Sequence, residues 1–356
     1  MSQSGQLQNE RKGFKELQQN VIAQDICTEC AACYITCPFQ GVLQYEMGPS
    51  LQGECKACGL CLQVCPRYEM DQQDLEKFVF GRLRSSEELF GVQRGLYAAR
   101  STQKDIYSTC QDGGVATTVL VKALSLKIID GAAISGRHES NSWQPHPLLA
   151  VSREDFIMSA GTRYTYSPNL LAFKEGVQQG LSQIAVVGTP CQIQAVRKIQ
   201  KSTLKKYSQA LGLTIGLFCS ESFRYKGLMV DKIQTELGID LQDIVKMNIK
   251  GGLILYLKDN STITIPLKEL KAVTEQKCHV CNDFSAELAD ISVGGIGLDG
   301  WTVTVIRSAI GERVFKQCME EGLLDTRLIR EDELAFKLLH RLSTIKRKRK
   351  LSSTMK

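Results

Sequence analysis

Histidine is scarce in this chain of 356 residues, and the scarcity narrows the possible chemistry. Only four histidines are present, which excludes metal or haem chemistry built mainly on histidine. No apolar run reaches the ~18 residues that a membrane-spanning helix requires, and the N-terminal stretch lacks the apolar core of a signal peptide. With 43% hydrophobic and 23% charged residues, the composition is that of ordinary globular proteins. We therefore expect a cytoplasmic protein of two or three domains.

Acidic residues are absent from the last sixteen positions, 341–356, which carry seven Lys or Arg. The rest of the chain has 37 basic and 38 acidic side chains. The body is thus nearly neutral, and we expect no nucleic-acid partner because such a partner requires a basic face on the folded body. Leu334, Leu338, Leu342 and Ile345 would share one helical face. This pattern predicts a basic amphipathic helix that contacts an acidic partner or, peripherally, an anionic membrane, and a disordered solubilising tail is the alternative.

Cysteine, in contrast, is abundant, with fourteen residues. Residues 27–38 and 55–66 each have the form C-x2-C-x2-C-x3-C-P, the spacing of bacterial ferredoxins with two [4Fe–4S] clusters, in which the fourth thiolate of each cluster comes from the other half. A chain without an export signal is not expected to use disulfides. Zinc also binds C-x-x-C but takes four ligands, not two identical quartets. The spacing therefore assigns Cys27, Cys30, Cys33 and Cys65 to one cluster, and Cys55, Cys58, Cys61 and Cys37 to the other.

Four further cysteines lie in contexts that suggest ligands. Cys191 follows a predicted strand at a helix start, Cys219 ends another strand, and Cys278 and Cys281 form a C-x-x-C pair. Once Cys110 and Cys318 are set aside as packed thiols, four cysteines remain, the number that a third cluster needs. The spacing alone leaves a second interpretation open, in which the two single cysteines are buried bystanders and the pair binds zinc or nothing.

From residue 96 onward, apolar segments with the character of strands and helices alternate, which predicts an α/β or α+β domain. Strands are expected at 96–100, 132–135, 148–152, 183–188, 213–218, 253–257, 261–265, 289–294 and 301–307. Helices are expected at 13–22, 114–127, 168–180, 191–201, 222–237, 308–321 and 331–347. The expected domains are an arm and helix (1–22), a ferredoxin-like module (23–68), a linker (69–95), a main domain (96–325) and a C-terminal helix with basic tail (326–356).

Glycine marks a possible phosphate site in the main domain. Gly113 and Gly114 directly precede a predicted helix, whose backbone N–H groups could bind an anion. The segment 161–168 adds Arg163, Tyr164 and Tyr166, which suit phosphate pairing and ring stacking, although both segments could be ordinary turns. Residues 295–300 fit G-x-G-x-x-G, but the following residues predict a strand, and a dinucleotide-binding fold requires a helix there.

These motifs together resemble the family of coenzyme F420 hydrogenase/dehydrogenase beta subunits. The resemblance runs from about residue 95 to 320 and rests on QDGGVATTVL, SAGTRYTYSP, VGTPCQIQAVRK, IGLFCSESF, DFSAELADISVGGIG and DGWTVTVIR. The FKELQQNVI helix, the paired cysteine motifs and the following CPR resemble one branch in particular, the iron–sulfur flavoprotein input subunit of F420H2 dehydrogenase. The basic tail is not a feature of that pattern.

The resemblance implies a non-Rossmann mixed α/β flavoprotein domain that binds FAD and a third [4Fe–4S] cluster, held by Cys191, Cys219, Cys278 and Cys281. It also implies a flavin cradle in the loops 111–117, 161–166 and 188–190. The candidate flavin-binding residues are Gln111, Asp112, Gly113, Gly114, Thr117, Arg163, Tyr164, Gly188, Thr189 and Pro190. No catalytic side chain is expected, because the flavin itself exchanges hydride.

The function expected from this resemblance is an oxidoreductase subunit that exchanges hydride with coenzyme F420 through FAD. Single electrons would then pass along three [4Fe–4S] clusters to a partner complex or a ferredoxin. Two alternatives remain at this point, because members of the family also reduce chlorophyll precursors. One is a ferredoxin-fed flavoenzyme that reduces a pigment-like substrate, and the other is a relay subunit that holds clusters only. The direction of electron flow and the final acceptor do not follow from the sequence.

Overall fold

The computed structural model describes residues 12–138 and 141–349. The N-terminal arm and the last part of the basic tail, residues 350–356, lie outside them. The strands are β1 (Leu43–Tyr45), β2 (Pro49–Leu51), β3 (Gly95–Ser101), β4 (Gly131–His138), β5 (Asn141–Ala150), β6 (Ile184–Gly188), β7 (Leu211–Leu217), β8 (Ile244–Ile249), β9 (Gly252–Leu257), β10 (Thr262–Pro266), β11 (Ile291–Gly294), β12 (Thr302–Ile306) and β13 (Leu324–Leu328).

The α-helices alternate with these strands in the main domain, as the sequence predicts. They are α1 (Phe14–Leu17), α2 (Ala32–Ile35), α3 (Leu60–Val64), α4 (Gln72–Phe80), α5 (Lys104–Thr109), α6 (Val115–Ser125), α7 (Arg153–Met158), α8 (Leu170–Gln178), α9 (Pro190–Lys201), α10 (Lys205–Ser208), α11 (Leu267–Leu270), α12 (Ala309–Glu320) and α13 (Glu333–Arg347). Two helical stretches are of the π type, Gln18–Ile22 and Lys226–Glu236.

The centre of the fold is a mixed sheet of eight strands in the order β13-β3-β12-β11-β7-β6-β4-β5. The strands β4, β6, β7 and β11 run parallel, and antiparallel strands flank them on both sides. All five residues of β6 are buried, as expected for a parallel strand covered on both faces. The prediction of a mixed α/β fold is confirmed, and each of the nine expected strands is present.

Helices cover both faces of this sheet. On one face, α6 and α12 pack against it through Val119, Ala123, Val314 and Phe315. On the other face, α8 and α9 form a second core that includes Phe173, Ala195 and Ile199. Because α9 begins directly after β6, its N-terminus lies at the carboxyl end of the parallel strands, where α/β proteins commonly bind ligands.

The N-terminal cysteine-rich segment, residues 23–68, packs onto the α8 and α9 face. Cys30, Ala31, Ala32, Ile35 and Val64 belong to the same buried cluster as the residues of those two helices. Next to it, the expected helix at 13–22 is present as α1 and the π turn, and its Phe14, Leu17 and Val21 are buried. The cysteine-rich segment therefore shares a core with the main sheet.

The linker expected at residues 69–95 is partly helical and contains helix α4. Asp71 caps its N-terminus by accepting a hydrogen bond from the Asp74 backbone N–H at 3.0 Å. Leu75 of this helix packs with Ile193 of α9 and Leu288. The segment is thus fastened to the main domain rather than freely extended.

A second, smaller sheet has the order β10-β9-β8 and carries its own core with the π helix Lys226–Glu236. The predicted hairpin is confirmed, because β9 and β10 pair antiparallel. Residues 295–300 are followed by strand β12, so rejection of a dinucleotide-binding helix at this G-x-G-x-x-G is confirmed as well.

Helix α13 is packed against the main domain by a face that the sequence pattern did not indicate. Its buried residues are Ala335, Leu339, Ser343 and Lys346, whereas Leu334 and Ile345 of the expected apolar face are 62% and 49% exposed. Among the described residues, no helix combines the length and apolarity needed to cross a bilayer. Membrane contact through the tail stays a prediction.

Candidate functional site

The two ferredoxin-like repeats adopt the same backbone around their cysteines. Glu29 and Ala31 of the first repeat have φ values of 55° and 67°, and the corresponding Ala57 and Gly59 of the second have 49° and 77°. Positive φ values are uncommon for residues other than glycine. Their recurrence at matching positions shows that the two repeats have the same loop conformation. Such loops turn successive backbone N–H groups toward one concave side, which favours an anion.

The structure brings the predicted ligands of one ferredoxin cluster together around a cavity. We call Cys37, Cys55, Cys58 and Cys61 the distal set; all four line a cavity of about 330 Å³, counted with its open mouth. Burial first, and then the neighbouring set members, raise the pKa of Cys61 to about 12. The Phe14 backbone N–H donates to Cys55 Sγ at 3.5 Å. A cavity lined by four convergent thiols fits a [4Fe–4S] cluster.

The other ferredoxin quartet also converges. We call Cys27, Cys30, Cys33 and Cys65 the proximal set. Burial raises the pKa of Cys33 well above its ordinary value, and its three set partners add to that effect. Backbone N–H groups donate to two of the sulfurs, from Glu29 to Cys27 at 3.4 Å and from Arg67 to Cys65 at 3.4 Å. Such N–H groups favour sulfur in its anionic, metal-binding form.

The four cysteines outside the ferredoxin-like repeats form a third group, the inner set: Cys191, Cys219, Cys278 and Cys281. Burial, and then the other three thiols of the set, raise the pKa of Cys219. The Ser222 backbone N–H donates to Cys278 Sγ at 3.3 Å. The members come from the start of α9, the residues after β7, and the turn Gln276–Cys278 with the loop that follows it. The fold therefore assembles a quartet from three separate segments.

Cys191 owes its position to the start of helix α9. Thr189 and Gln192 form a capping box, and Pro190 occupies the first turn, where proline lacks only an N–H that would have no helical partner. The Thr189 hydroxyl lies 3.2 Å from Cys191 Sγ. The helix N-terminus carries partial positive charge, which suits an anionic ligand at Cys191.

The three sets follow one another through the protein. Cys30 of the proximal set and Cys191 of the inner set are near enough to influence each other electrostatically, as are Cys33 and Cys61 of the distal set. Burial raises the pKa of Tyr166, and Cys191 and Cys30 are both near enough to add to that effect. The Tyr166 hydroxyl is closed to solvent without a hydrogen-bond partner in the described part of the chain. The order is therefore inner, proximal, distal, and the last set contains the exposed Cys58.

Two cations border the inner set, and the motif analysis did not identify either as functional. Arg67 faces Cys281 and Cys191, and Lys346 of α13 donates to the Cys219 carbonyl. Burial raises the pKa of Cys281, but Lys346 and then Arg67 outweigh it and lower that pKa on balance. The only sequence signal for Arg67 is its place directly after Cys65-Pro66. Lys346 lies in the basic tail that we had expected to dock elsewhere.

Within 12–138 and 141–349, no three His, Cys, Asp or Glu side chains are placed to hold a single metal ion. A single zinc ion draws its thiolates to about 2.3 Å from one centre. A [4Fe–4S] cluster instead places a cube of iron and sulfide between its four thiolates. A cluster site therefore need not have the spacing of a single-ion site, and the zinc interpretation of Cys278 and Cys281 stays an alternative.

The three loops of the expected flavin cradle are joined by hydrogen bonds. Gln111 accepts from the Thr162 backbone N–H at 3.2 Å and donates to the Met247 carbonyl at 2.9 Å. Asn169 donates to the Val187 carbonyl at 2.8 Å, and Gln192 donates to the Ser167 carbonyl at 2.6 Å. These bonds bring the segments 111–117, 161–169 and 187–192 to one place beside Cys191.

The glycines of the cradle are also required by close packing within the protein. A side chain at Gly113 would approach the Ala99 carbonyl to 2.4 Å, and one at Gly188 would approach Gln192 to 2.8 Å. Gly114 is left-handed and precedes α6, in which Thr117 is buried. The glycines are therefore needed for packing whether or not a flavin lies next to them.

Unpartnered polar atoms concentrate in the same cradle, which is the observation that fits a polar cofactor. Within the described residues, buried atoms without hydrogen-bond partners include Arg163 Nε, Thr165 Oγ1, Ser167 Oγ and Asn169 Oδ1. Native proteins rarely leave such atoms unsatisfied. They are closed to solvent here, so a ligand could reach them only if the loop shifted.

Arg163 is less available for phosphate than its sequence context suggested. Its guanidinium donates to the Ser135, Ser159 and Gly161 carbonyls at 3.1, 3.0 and 3.4 Å. Burial lowers its pKa to about 10. Nearby, burial raises the pKa of Asp112, and Lys246 and Lys250 oppose that shift. Lys250 pairs with Asp299, whereas Lys246, within the described residues, donates only to the Cys110 carbonyl, at 3.5 Å, and is the freer cation at this edge of the cradle.

Comparison with known proteins gives two matches to family models. Residues 96–174 match the coenzyme F420 hydrogenase/dehydrogenase beta subunit N-term, and residues 181–332 match the corresponding C terminus. The chain is 35% identical over 266 residues to the coenzyme F420 hydrogenase subunit beta of Methanothermobacter thermautotrophicus, covering 73% of this chain and 94% of that protein.

Two further matches extend this result. A subunit of the F(420)H(2) dehydrogenase of Methanosarcina mazei is 32% identical over 345 residues, covering 92% of this chain and 91% of that protein. A solved chain of the F420-reducing [NiFe] hydrogenase complex from Methanosarcina barkeri is 35% identical with a TM-score of 0.71, covering 75% of this chain and 92% of that chain.

Proposed function

Because the chain belongs to the family of coenzyme F420 hydrogenase/dehydrogenase beta subunits, we propose that it is an F420-linked oxidoreductase subunit. It exchanges hydride with coenzyme F420 through FAD and passes electrons along three [4Fe–4S] clusters to a partner. The observation that carries this proposal is the succession of three cysteine quartets from the flavin cradle to the surface. The name of the M. mazei relative, which matches 92% of the chain, supports the F420H2 dehydrogenase branch.

FAD would connect hydride transfer to single-electron transfer, because a flavin can exchange hydride with a deazaflavin and single electrons with clusters. The protein's task is to hold the two ring systems and exclude water. From Gly114 onward, the start of α6 offers backbone N–H groups to the cofactor's phosphates, whereas the Gly113 N–H already donates to the Thr302 hydroxyl at 2.9 Å. Gly188, Thr189 and Pro190 place the cradle next to Cys191. Lys246 is the cation that could bind the acidic groups of the substrate coenzyme, whereas Lys250 is paired with Asp299.

The order of the quartets gives a route for electrons. The inner set lies beside the flavin cradle, the proximal set follows it, and the distal set opens to solvent at Cys58. An electron-accepting complex or a ferredoxin would therefore dock near the distal set. The match of the solved chain to a hydrogenase complex supports a role as one subunit of a larger assembly.

Each proposed domain holds a different part of this electron route. Residues 23–68 hold the proximal and distal clusters, and residues 96–325 bind FAD, F420 and the inner cluster. The segment 69–95, with α4, connects the two parts, and residues 326–349 close the inner set. This division differs from a string of independent domains, since residues of 23–68 and of the main domain share one core.

Anaerobic mixing of the purified protein with reduced F420 tests the proposal. We expect the flavin absorbance to bleach first and the cluster absorbance to follow. A protein without flavin would instead support a cluster relay. A bound flavin that reduced ferredoxin reduces, but reduced F420 does not, would support the ferredoxin-fed reductase and contradict our proposal.

A further inference from the structure

Two of the most deeply buried cations in the protein converge on the inner set from opposite ends of the chain. Arg67, which directly follows the proximal set, is 5% exposed, and Lys346, near the end of α13, is 3% exposed. Arg67 faces Cys281 and Cys191. Lys346 donates to the Cys219 carbonyl and faces the Cys219, Cys278 and Cys281 thiols.

Neither cation has a carboxylate within salt-bridge distance among the residues the structure describes, and Arg67 Nε has no hydrogen-bond partner there. Other buried cations are paired: Arg197 bonds Asp290 at 2.9 Å, and Lys277 bonds Glu29 at 2.5 Å. A buried charge is costly unless an opposite charge compensates it. The inner set therefore contains an excess of positive charge that requires an anion.

One buried carboxylate, Asp283, also faces Lys346 and offsets part of its charge, although the two form no salt bridge in the described residues. The Asp283 oxygens accept the Glu287 backbone N–H at 3.0 and 3.3 Å. Glu287 itself pairs with Arg84 at 2.5 Å and also with Arg347. Glu287 is thus neutralised by two arginines and Asp283 acts on Lys346, whereas the thiolates of the inner set are the anionic groups that face both cations.

We propose that Arg67 and Lys346 are the counter-charges of a [4Fe–4S] cluster in the inner set, and that they retain this cluster and raise its reduction potential. The inference rests on the proposed function, which places a cluster there. Two ferrous and two ferric ions with four sulfides and four thiolates carry a net charge of about −2, which becomes about −3 on reduction by one electron. Fixed positive charges beside the cluster stabilise the reduced form more than the oxidised form.

The end of α13 holds Lys346 in place. Arg349 donates to the Cys278 carbonyl at 2.8 Å and to the Ser220 carbonyl at 3.2 Å, and it pairs with Glu221 at 2.8 Å. Arg347 pairs with Glu287. Lys346, Arg347 and Arg349 thus close the segments that carry three of the inner cysteines. This part of the tail acts within the protein, in contrast to the docking role expected from sequence.

Replacement of Lys346 by Gln tests the inference by an EPR-monitored redox titration of the anaerobic protein. Lys348→Gln is the matched control, because it removes the same charge from an exposed position on the same helix end. We expect Lys346→Gln to lower the reduced-to-oxidised ratio of the inner cluster at a fixed potential about tenfold, which is about 59 mV for a one-electron couple. The other two clusters should shift far less, and Arg67→Gln should act in the same direction.

If Lys346→Gln loses the inner cluster outright, Lys346→Arg decides the outcome. Recovery of iron and potential by arginine would support a charge role, whereas failure of arginine to restore the iron would indicate a packing role and overturn the inference. If Lys346→Gln keeps about twelve irons and the midpoint potential of its inner cluster is unshifted, the inference is overturned but the inner cluster is not. About eight irons in the unmodified chain would instead overturn the inner cluster and, with it, this inference.

Discussion

The inner and distal sets each consist of four cysteines, but their surroundings are opposite. The distal set lines a cavity with an open mouth and includes the exposed Cys58. The cation beside it, Lys56, is exposed and paired with Glu54 at 2.7 Å. No member of the inner set is exposed, and the cations beside it, Arg67 and Lys346, are buried without a carboxylate partner in the described residues.

This difference separates two tasks that iron–sulfur sites perform. A cluster in an open cavity can exchange electrons with a partner, and solvent screens the charges around it. A buried cluster exchanges electrons only with other groups inside the protein. The buried charges beside it act on it with little screening. We infer that the chain uses the inner site to receive electrons from the flavin and the distal site to release them.

The largest effect is expected for Cys219→Ala, which removes one ligand of the inner set. The iron content should fall from about twelve to about eight per chain, and electrons from F420H2 should stop at the flavin. Cys318→Ala is the control, because Cys318 is also buried but belongs to no set. It should keep all its iron and lose only about 1 kcal/mol of stability. Full iron content in Cys219→Ala would contradict the assignment of that residue.

Deletion of residues 341–356 should have the next largest effect, because it removes Lys346 and Arg349 from the inner set. We expect loss of about four irons per chain, measured by iron and sulfide analysis. Deletion of 350–356 alone is the control and should retain them. Co-sedimentation of both variants with anionic liposomes at low and high salt tests the separate prediction that the tail contacts membranes. If the two deletions retain equal iron, α13 does not close the inner site.

Cys58→Ala should interrupt the route at its outer end only. The distal cluster should be lost, and reduction of an external acceptor should fall, because the exposed member of the route is missing. Reduction of the flavin by F420H2 should continue at the rate of the unmodified protein, measured by stopped-flow absorbance. A folded variant in which flavin reduction stops would reverse the proposed order of flavin and clusters.

The smallest effect is expected for Tyr166→Phe. The Tyr166 hydroxyl is closed to solvent and has no hydrogen-bond partner within the described ranges. Its removal should therefore be neutral or should stabilise the protein by up to about 1 kcal/mol, measured by thermal unfolding of the holoprotein. A loss of more than about 1 kcal/mol would show that the hydroxyl bonds a cofactor that fills the site.

The sequence predicted the parts of the fold whose side chains repeat a simple pattern. The nine strands expected from apolar, β-branched runs are all present, whereas β1, β2, β8 and β13 were missed. The strand β13 is an edge strand with the sequence LDTRL, and edge strands commonly carry charges that obscure the alternation of polar and apolar residues. The grouping of the eight ferredoxin-like cysteines into two quartets could be predicted from spacing, because these cysteines are local in the chain.

The inner site could be predicted from the sequence only in part. Its cysteines were found as candidates, but three separate segments bring them together, and spacing cannot reveal that. Lys346 is followed by Arg347, Lys348 and Arg349. Nothing in the local sequence distinguishes the buried Lys346 from the exposed Lys348. Only the packing of Ala335 and Leu339 of α13 against the main domain fixes which of these charges points inward.

Iron and acid-labile sulfide analysis of the unmodified protein, purified without oxygen, tests the central claim most directly. Our account predicts about twelve irons and about twelve sulfides per chain, four of each for the inner, proximal and distal sets. A stable value of about eight of each, unchanged by anaerobic reconstitution with iron and sulfide, would contradict it and return Cys191, Cys219, Cys278 and Cys281 to a packing role.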